Sequence, residues 1–569
     1  MPPGDDATPL ESLSARVEAL ERRIAALETL RPARTPDQEP AGTAATATPG
    51  AGEAAPEPTQ ASVFPIFGRA IVGIAGAYLL RAASETGTLP AWMAVTLALG
   101  YAGGWLAWAA RPTAQTQLAR HCYALTAAMI YSPLLWEATV RFGILRPPLT
   151  ATILAGFAAL AMALAWGRNV TAVVWVGVVA AVITALTLMA GTRAPVPFAW
   201  ALVAMAALSE LAGGQGRWPA LRVVAATATD LAAIVVILIL GDARAVPAEY
   251  QAVGAGVLIA LTASLWVLYA LSVAVHSLIL RRKISGFEAA QFAATALLAS
   301  WAVMRATQGA GEPALGICWL VAGAACYFAA FGPLAGKAER GNFRFYAICG
   351  VAFVTAGSFF ALPVAALVIW LSLAAVIATG LGVRVHGAAL DLHGVVYVCG
   401  ALAASGLAGY AGRALAGTFP PAPGALMMGA TAAALLCAAM VSRYPGEHAG
   451  ERLLRALPTI LAVYATAGLA VAGLVWLVAG GATPGLPQLA VIRTVVTCAA
   501  ALLLAFLGAR LDHIELVWMA YAAAVLGSLK LVFEDLRFGS TQSVATSLLI
   551  YGAVLILIPR LVRARKGRA

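Results

Sequence analysis

Between residues 64 and 560 the chain is a succession of apolar blocks separated by short polar breaks. A helix rising 1.5 Å per residue needs about 20 such residues to cross a bilayer. The blocks fall at 64–83, 89–110, 117–141, 147–166, 170–190, 195–213, 219–241, 250–280, 285–307, 311–331, 343–360, 362–383, 386–412, 424–443, 453–480, 487–509, 513–535 and 540–560. They predict an all-α, polytopic integral membrane fold of about 18 transmembrane helices. From the second block on, a proline stands near the start of every second one except the last: Pro90, Pro148, Pro197, Pro247, Pro313, Pro363, Pro423 and Pro487. Proline suits a first helical turn, where its missing N–H has no intrahelical partner. That spacing predicts a repeated hairpin. The stretches beginning at Leu362 and Leu486 share one order: Leu-Pro, apolar span, Gly-x-Arg turn with Asp and His nearby, apolar span. A duplicated unit would share this order, and so would any two hairpins with proline at the start and arginine in the cytosolic turn.

Ahead of the blocks the period changes. Leu10, Leu13, Val17, Leu20, Ile24 and Leu27 recur in alternating steps of three and four, a coiled-coil seam. Val17 and Ile24 at a with leucine at d favour a parallel pair, in which Arg16 and Arg23 face Glu21 and Glu28 of the partner. Residues 1–31 are therefore expected to form a cytosolic coiled coil that makes the chain a homodimer. An amphipathic helix lying on a membrane or a partner protein is the alternative reading of the same stripe. Residues 32–62, rich in Pro, Ala, Thr and Glu without a period, predict a disordered linker, and residues 63–569 the polytopic domain. A synthetic peptide of residues 1–31 is expected to sediment as a dimer at millimolar concentration. A monomeric random coil under those conditions would overturn the dimer.

Composition narrows the function classes. With 61% hydrophobic and 11% charged residues and a mean hydropathy of +0.85, against roughly 25% charged residues in soluble chains, no room is left for a large soluble catalytic domain. The 37 Lys and Arg exceed the 26 Asp and Glu, a net charge of +11. In this context the excess reads as membrane topology and not as a nucleic-acid surface, so no nucleic acid is expected. With the N-terminus in the cytosol, the inner loops carry Arg111, Arg120, Arg168, Arg217, Arg222, Arg281, Arg282, Lys283, Lys337, Arg340 and Arg344, and the basic tail follows Arg560. The outer loops carry far fewer cations, Arg81, Arg141 and Arg193 among them, so both termini are expected to be cytosolic. The opening residues hold acids and no apolar core, and no cleaved signal peptide is expected. The seven cysteines lie inside apolar stretches with no CxxC spacing and read as small apolar fillers.

An ionisable residue at membrane depth costs free energy unless it pairs or meets water, which makes each one a candidate site. Asp230, with Thr227 and Thr229 beside it, sits near the middle of its block and reads either as a proton or cation site or as a capped polar residue in helix packing. Towards the outer ends lie Arg493, Lys530, Glu534, Asp535, Glu137 and Arg141. Lys530 and Glu534, four apart, share a helix face and can pair. The functional reading of this set is an outer cavity in which Arg493 and Lys530 bind an anionic group and Glu137 or Asp535 balances the charge. The structural reading is an ion pair that locks helices or a lysine that snorkels. Asp391 with His393, and Asp512 with His513, lie towards the inner ends. His121, His276 and His448 lack metal-ligand spacing, so neither a metal nor a cofactor is expected. Gly332–Lys337 is not a phosphate-binding loop, because no Ser or Thr follows the lysine and no strand precedes it. No GxSxG or HExxH motif is present. Gly100 and Gly104 form a small-residue pair of the helix-packing type.

Three stretches resemble a family of large, uncharacterised bacterial membrane proteins with an N-terminal coiled coil and a Pro-rich linker: GRAIVGIAGAYLLRAASETG, LARHCYALTAAMIYSPLLWEATVRFGILRPP and LGSLKLVFEDLRFGSTQSVATSLLIYGAVLILIPRLVR. The family's Lys-Leu and Asp-Leu pattern falls on Lys530, Leu531, Asp535 and Leu536. Beyond Leu536 the chain departs from it, with Gln542 to Ser547 in place of an Arg-x-x-Ser-Phe pattern. The resemblance implies a bacterial inner-membrane protein and no particular activity. With no catalytic signature, the chain reads more readily as a transporter or flippase of a cell-envelope component than as an enzyme. A structural or assembly factor that recruits envelope-associated proteins through the coiled coil is the alternative. A glycosyltransferase using a lipid-linked donor is disfavoured by short outer loops.

Overall fold

The computed structural model describes residues 60–569, apart from 112–115, 168–169, 335–339, 386–387, 443–448, 481–483 and 567–569. The chain divides into two units, Met1–Ser62 and Val63–Ala569. The coiled-coil seam and nearly all of the linker lie outside the described residues.

Among the described residues every element is helical. In chain order they are α1 Gln60–Glu85, α2 Ala91–Ala109, α3 Gln117–Trp136, α4 Pro147–Trp166, α5 Thr171–Gly191, α6 Pro195–Gly214, α7 Pro219–Leu240, α8 Ala255–Ala274, α9 Gly286–Thr307 and α10 Glu312–Phe331. There follow α11 Arg340–Ala361, α12 Val364–Val385, α13 Ala388–Ala404, α14 Leu407–Ala416, α15 Ala425–Val441, α16 Ala449–Ala479, α17 Leu486–Leu511, α18 Ile514–Lys530 and α19 Thr541–Lys566, with a short helical turn, Leu536–Phe538, between the last two. α1 begins at Gln60, inside the expected linker. α3, α8 and α18 each run on into one π-helical turn, at Glu137–Arg141, Val275–Ile279 and Leu531–Asp535 respectively.

Every predicted block coincides with a helix, but fewer of them qualify as spans. Among the described residues fourteen helices are long and apolar enough to cross a membrane, or fifteen if α13 and α14 count as one. α15 has only 17 residues, α2 carries Trp92, Tyr101, Trp105 and Trp108, and α3 carries Arg120 and His121. Block 386–412 is not one straight span: α13 and α14 meet at 72° where Gly406 takes φ 75, a left-handed conformation that glycine adopts without a Cβ penalty. Block 250–280 starts late, at Ala255, because Gly254 is the N-cap.

The prolines act largely as expected. Pro148, Pro197, Pro313 and Pro487 lie in first turns and Pro90 is an N-cap, whereas Pro247 and Pro423 fall in the preceding loops. Adjacent pairs α2/α3, α4/α5, α6/α7, α8/α9, α10/α11, α12/α13, α15/α16 and α17/α18 pack as hairpins. α10 and α11 approach most closely through glycine. A Cβ on Gly316 would meet the Gly357 carbonyl and the Ala361 N–H, and a Cβ on Gly357 would meet the Gly316 carbonyl. Small residues that admit backbone contact are the usual basis of helix association in lipid. Gly100 and Gly104 do not serve this purpose: nothing lies within 4 Å of a Cβ on either. They line instead a cleft of about 880 Å³ with Arg69, Tyr101, Trp105 and Trp108.

Buried residues form one large core around α3–α7 and a second around α12–α17. Outside them, side chains such as Phe328 (77% exposed), Leu549 (75%) and Leu79 (71%) point outward. A soluble monomer rarely exposes so much contiguous apolar surface. These faces and the long apolar helices are those of a multi-pass membrane protein in contact with lipid. Cys318 and Cys399 belong to the exposed faces and are not core fillers, unlike Cys326, Cys437 and Cys498.

Candidate functional site

Three clusters of charge are buried or half-buried in the helical region, and each abuts one of the π-helical turns. Such turns insert one residue into the helix and re-aim its neighbours, and they are frequent at functional sites.

The first cluster is the predicted outer set. Arg493 on α17 is 3% exposed. It donates to the carbonyls of Ala414 (2.7 Å), Arg413 (3.1 Å) and Gly417 (2.5 Å) and to Glu534 Oε1 (2.5 Å). The guanidinium thus closes the C-terminal end of α14, where the free carbonyls and the helix dipole attract a cation. Lys530 spends its three donors on the Ala490 carbonyl, Thr494 Oγ1 and Asp535 Oδ2, each at 2.6 Å. The i,i+4 pairing expected with Glu534 is the longer contact, at 3.8 Å, because the π-helical turn brings residue i+5 round to the same face. Asp535, 1% exposed, also accepts from Ser547 (2.8 Å). Two cations meet two carboxylates and every ammonium donor is used, so the arrangement favours locking α14, α17, α18 and α19 together over holding an anion.

Glu137 does not join this set and belongs to the third cluster, beside the Glu137–Arg141 turn. It pairs with Arg81 (2.7 Å) and Arg141 (3.9 Å), and with Arg81, Ser84 and Glu85 it lines a cavity of about 420 Å³ among α1, α2 and α3.

If Arg493 locks the end of α14, then Arg493→Gln is expected to speed amide hydrogen exchange across 407–417 by at least about tenfold. Hydrogen bonds to a charged group contribute about 1.5–3 kcal/mol and tenfold corresponds to 1.4 kcal/mol. Unchanged exchange in α14 would show that the contact does not hold it.

The second cluster contains Asp230 and was only partly foreseen. Asp230 lies midway along α7 and accepts from Gln291 Nε2 on α9 with both oxygens, at 2.9 and 2.8 Å. Among the described residues Thr227 and Thr229 give it no hydrogen bond; their hydroxyls bond backbone carbonyls. Eight residues earlier on α7, roughly 12 Å along the axis, Arg222 donates to both oxygens of Glu210 on α6 (3.0 and 2.6 Å) and to Glu288 on α9 (3.1 Å). Ser272 on α8 donates to Glu210 (2.6 Å), and His276 Nδ1, in the π-helical turn, lies 2.7 Å from Glu288. Glu288 is also the third residue of a capping box, accepting from the N–H and hydroxyl of Ser285, both at 2.9 Å. Gly213 and Gly214 admit the partners, since a Cβ on either would press on Arg222 or on His276 Nε2.

Between the two levels stands Tyr269, one turn from Ser272. Its hydroxyl is buried and has no hydrogen-bond partner among the described residues. Its ring packs with Ala226 and Ala233, which flank Asp230 on the same face of α7. Side chains from α6–α9 thus form a polar column from the helix ends to mid-helix. Its carboxylates, Glu210, Glu288 and Asp230, outnumber the one permanent cation, Arg222. Glu210, Glu288, Gln291 and Tyr269 were missed in the sequence because they sit near block ends or carry no charge. One available signal was the Ser285-x-x-Glu288 capping box.

The inner residues go elsewhere. His393 is buried 3.4 Å from the Tyr327 hydroxyl, itself 2.7 Å from that of Tyr397. His121 is exposed against the Gln117 carbonyl, and His448 lies outside the described residues.

No protein-family model matches the chain, and neither a curated protein nor a solved structure matches it. The reading of the site therefore rests on its own geometry.

Proposed function

We propose that the chain is a transporter of the bacterial cytoplasmic membrane, spanning it about 18 times with both termini in the cytosol, and that α6–α9 carry a proton or a small cation that drives the movement of a cell-envelope component. The supporting observation is the charge deficit of the buried column. Glu210 and Glu288 share one guanidinium, and among the described residues Asp230 has only the neutral Gln291 amide. A proton on His276 balances one carboxylate and leaves another. Carboxylates at membrane depth without counter-charge are stabilised by taking up a proton or a cation, which is the chemistry of a coupling site. Ser272, Tyr269 and Gln291 supply intermediate oxygen and nitrogen groups along the path.

The test is flux. Purified full-length protein in liposomes, given an imposed proton, sodium or potassium gradient, is expected to dissipate at least one of them faster than protein-free liposomes. No excess flux under any of the three gradients would sink the reading. A second reading, an assembly factor that dimerises through residues 1–31 and gathers envelope-associated proteins, is favoured by the closed Arg493–Lys530 network, which is built to hold helices and not to move a solute.

A further inference from the structure

The cavity of about 420 Å³ among α1, α2 and α3 has a volume within the range of small-ligand sites. Its walls are mostly apolar, with Ala77 of α1, Ala98 of α2 and Ile130 of α3 among them, and its charged lining is Arg81, Glu85 and Glu137. Met129 and Glu137 both line it and stand eight residues apart in the chain, so it extends roughly 12 Å along the α3 axis. Tyr78 and Met129, also in the lining, are 63% and 53% exposed. The cavity therefore opens sideways between helices whose outer faces meet lipid, and a hydrocarbon chain can enter it from the bilayer.

At the charged end one carboxylate oxygen is left over. Arg81 gives Nε to Glu85 Oε1 (3.0 Å) and Nη1 to Glu137 Oε1 (2.7 Å), and Arg141 faces the same Oε1 at 3.9 Å. Among the described residues Glu137 Oε2 accepts no hydrogen bond, and the hydroxyl of Ser84, also in the lining, makes none. A carboxylate oxygen partly removed from water gains from a donor. Two carboxylates and one guanidinium line the cavity, so the partner that balances it is a cation. A primary ammonium brings three N–H donors and no acceptor. Just beyond the lining, Arg141 is 57% exposed, with its guanidinium 5.3 Å from the Phe142 ring centroid, and offers N–H groups that suit a phosphate. A carboxylate followed by an exposed guanidinium is the complement of a headgroup that carries an ammonium and a phosphate.

We propose that this cavity binds an aminophospholipid: one acyl chain lies along the apolar walls, the ammonium meets Glu137 Oε2 and Ser84 Oγ, and the phosphate meets the Arg141 guanidinium. Full-length protein in detergent micelles is titrated with phosphatidylethanolamine, phosphatidylcholine or phosphatidylglycerol of identical acyl chains, and bound lipid is counted by native mass spectrometry. Phosphatidylethanolamine is expected to bind at least about tenfold more tightly than the other two, because choline keeps the charge without an N–H and glycerol has neither. Two variants, checked for folding by their melting temperatures, locate the site. Glu137→Gln is expected to abolish the preference. Ala98→Leu, which fills the cavity without changing its charge, is expected to weaken phosphatidylethanolamine binding by about tenfold. Equal affinity for the three lipids, or a preference for either of the other two, overturns the proposal. So does wild-type phosphatidylethanolamine affinity in folded Glu137→Gln or folded Ala98→Leu protein. The headgroup comparison needs no variant, so it decides the matter even where a variant fails to fold. The cavity shares no residue with the α6–α9 column, and lipid binding and flux are therefore decided separately.

Discussion

Replacing Arg222 by Met is expected to destabilise the protein by about 3–5 kcal/mol, the cost of removing one partner from a buried ion pair. The side chains of Glu210 and Glu288 are 4% and 8% exposed, and Arg222 reaches both. Without it, among the described residues Glu210 keeps only the Ser272 hydroxyl, while Glu288 keeps Ser285 and His276. Two carboxylates in a region of low dielectric then face each other with no permanent counter-charge. The measurement is thermal unfolding of the purified protein in detergent, with Arg222→Met/Glu210→Leu beside the single variant. Because removing a buried pair as a unit is often near neutral, the double variant is expected to recover a large part of the loss, and the difference gives the coupling. A single variant as stable as the wild type would mean that water, and not the guanidinium, solvates these carboxylates.

Asp230→Asn is expected to lower the gradient-driven flux by at least about tenfold, equivalent to 1.4 kcal/mol, while leaving the fold intact. The substitution preserves shape, and the new amide still accepts from Gln291 through its oxygen. What it removes is the ability to bind and release a proton or to neutralise a cation. Melting temperature and flux are measured on the same preparation, so that lost transport is not confused with lost protein. Wild-type flux in Asp230→Asn would take this residue off the path. Loss of flux and of fold together would identify the Asp230–Gln291 contact as structural.

Much of the architecture was legible because it follows from local quantities. A block of about 20 apolar residues can satisfy its backbone in lipid only as a helix, so helices were expected wherever the structure has them. The number of spans was less legible, since tryptophans and polar residues lower the hydropathy of α2 and α3 and a single glycine bends the stretch shared by α13 and α14. The candidate sites show the same division. Arg493, Lys530, Glu534 and Asp535 were singled out by their cost in a membrane and do meet, whereas Glu137, chosen on the same ground, pairs with Arg81 in another part of the fold.

Helical periodicity decides which residues share a face of one helix, and from that alone follow the α-helical segments, the hairpin order and the depth of Asp230 and Arg493. It does not decide which helices become neighbours. Arg493 aims at the end of α14, about 80 residues earlier in the chain, and Asp230 finds Gln291 across 61 positions. The π-helical turns add a second reason, because one inserted residue sets Lys530 on Asp535 and turns His276 onto Glu288, and no hydrophobic period records that offset. Which charges are neutralised within the protein and which leave a deficit was therefore decided by the packing of α6–α9 and α14–α19 alone.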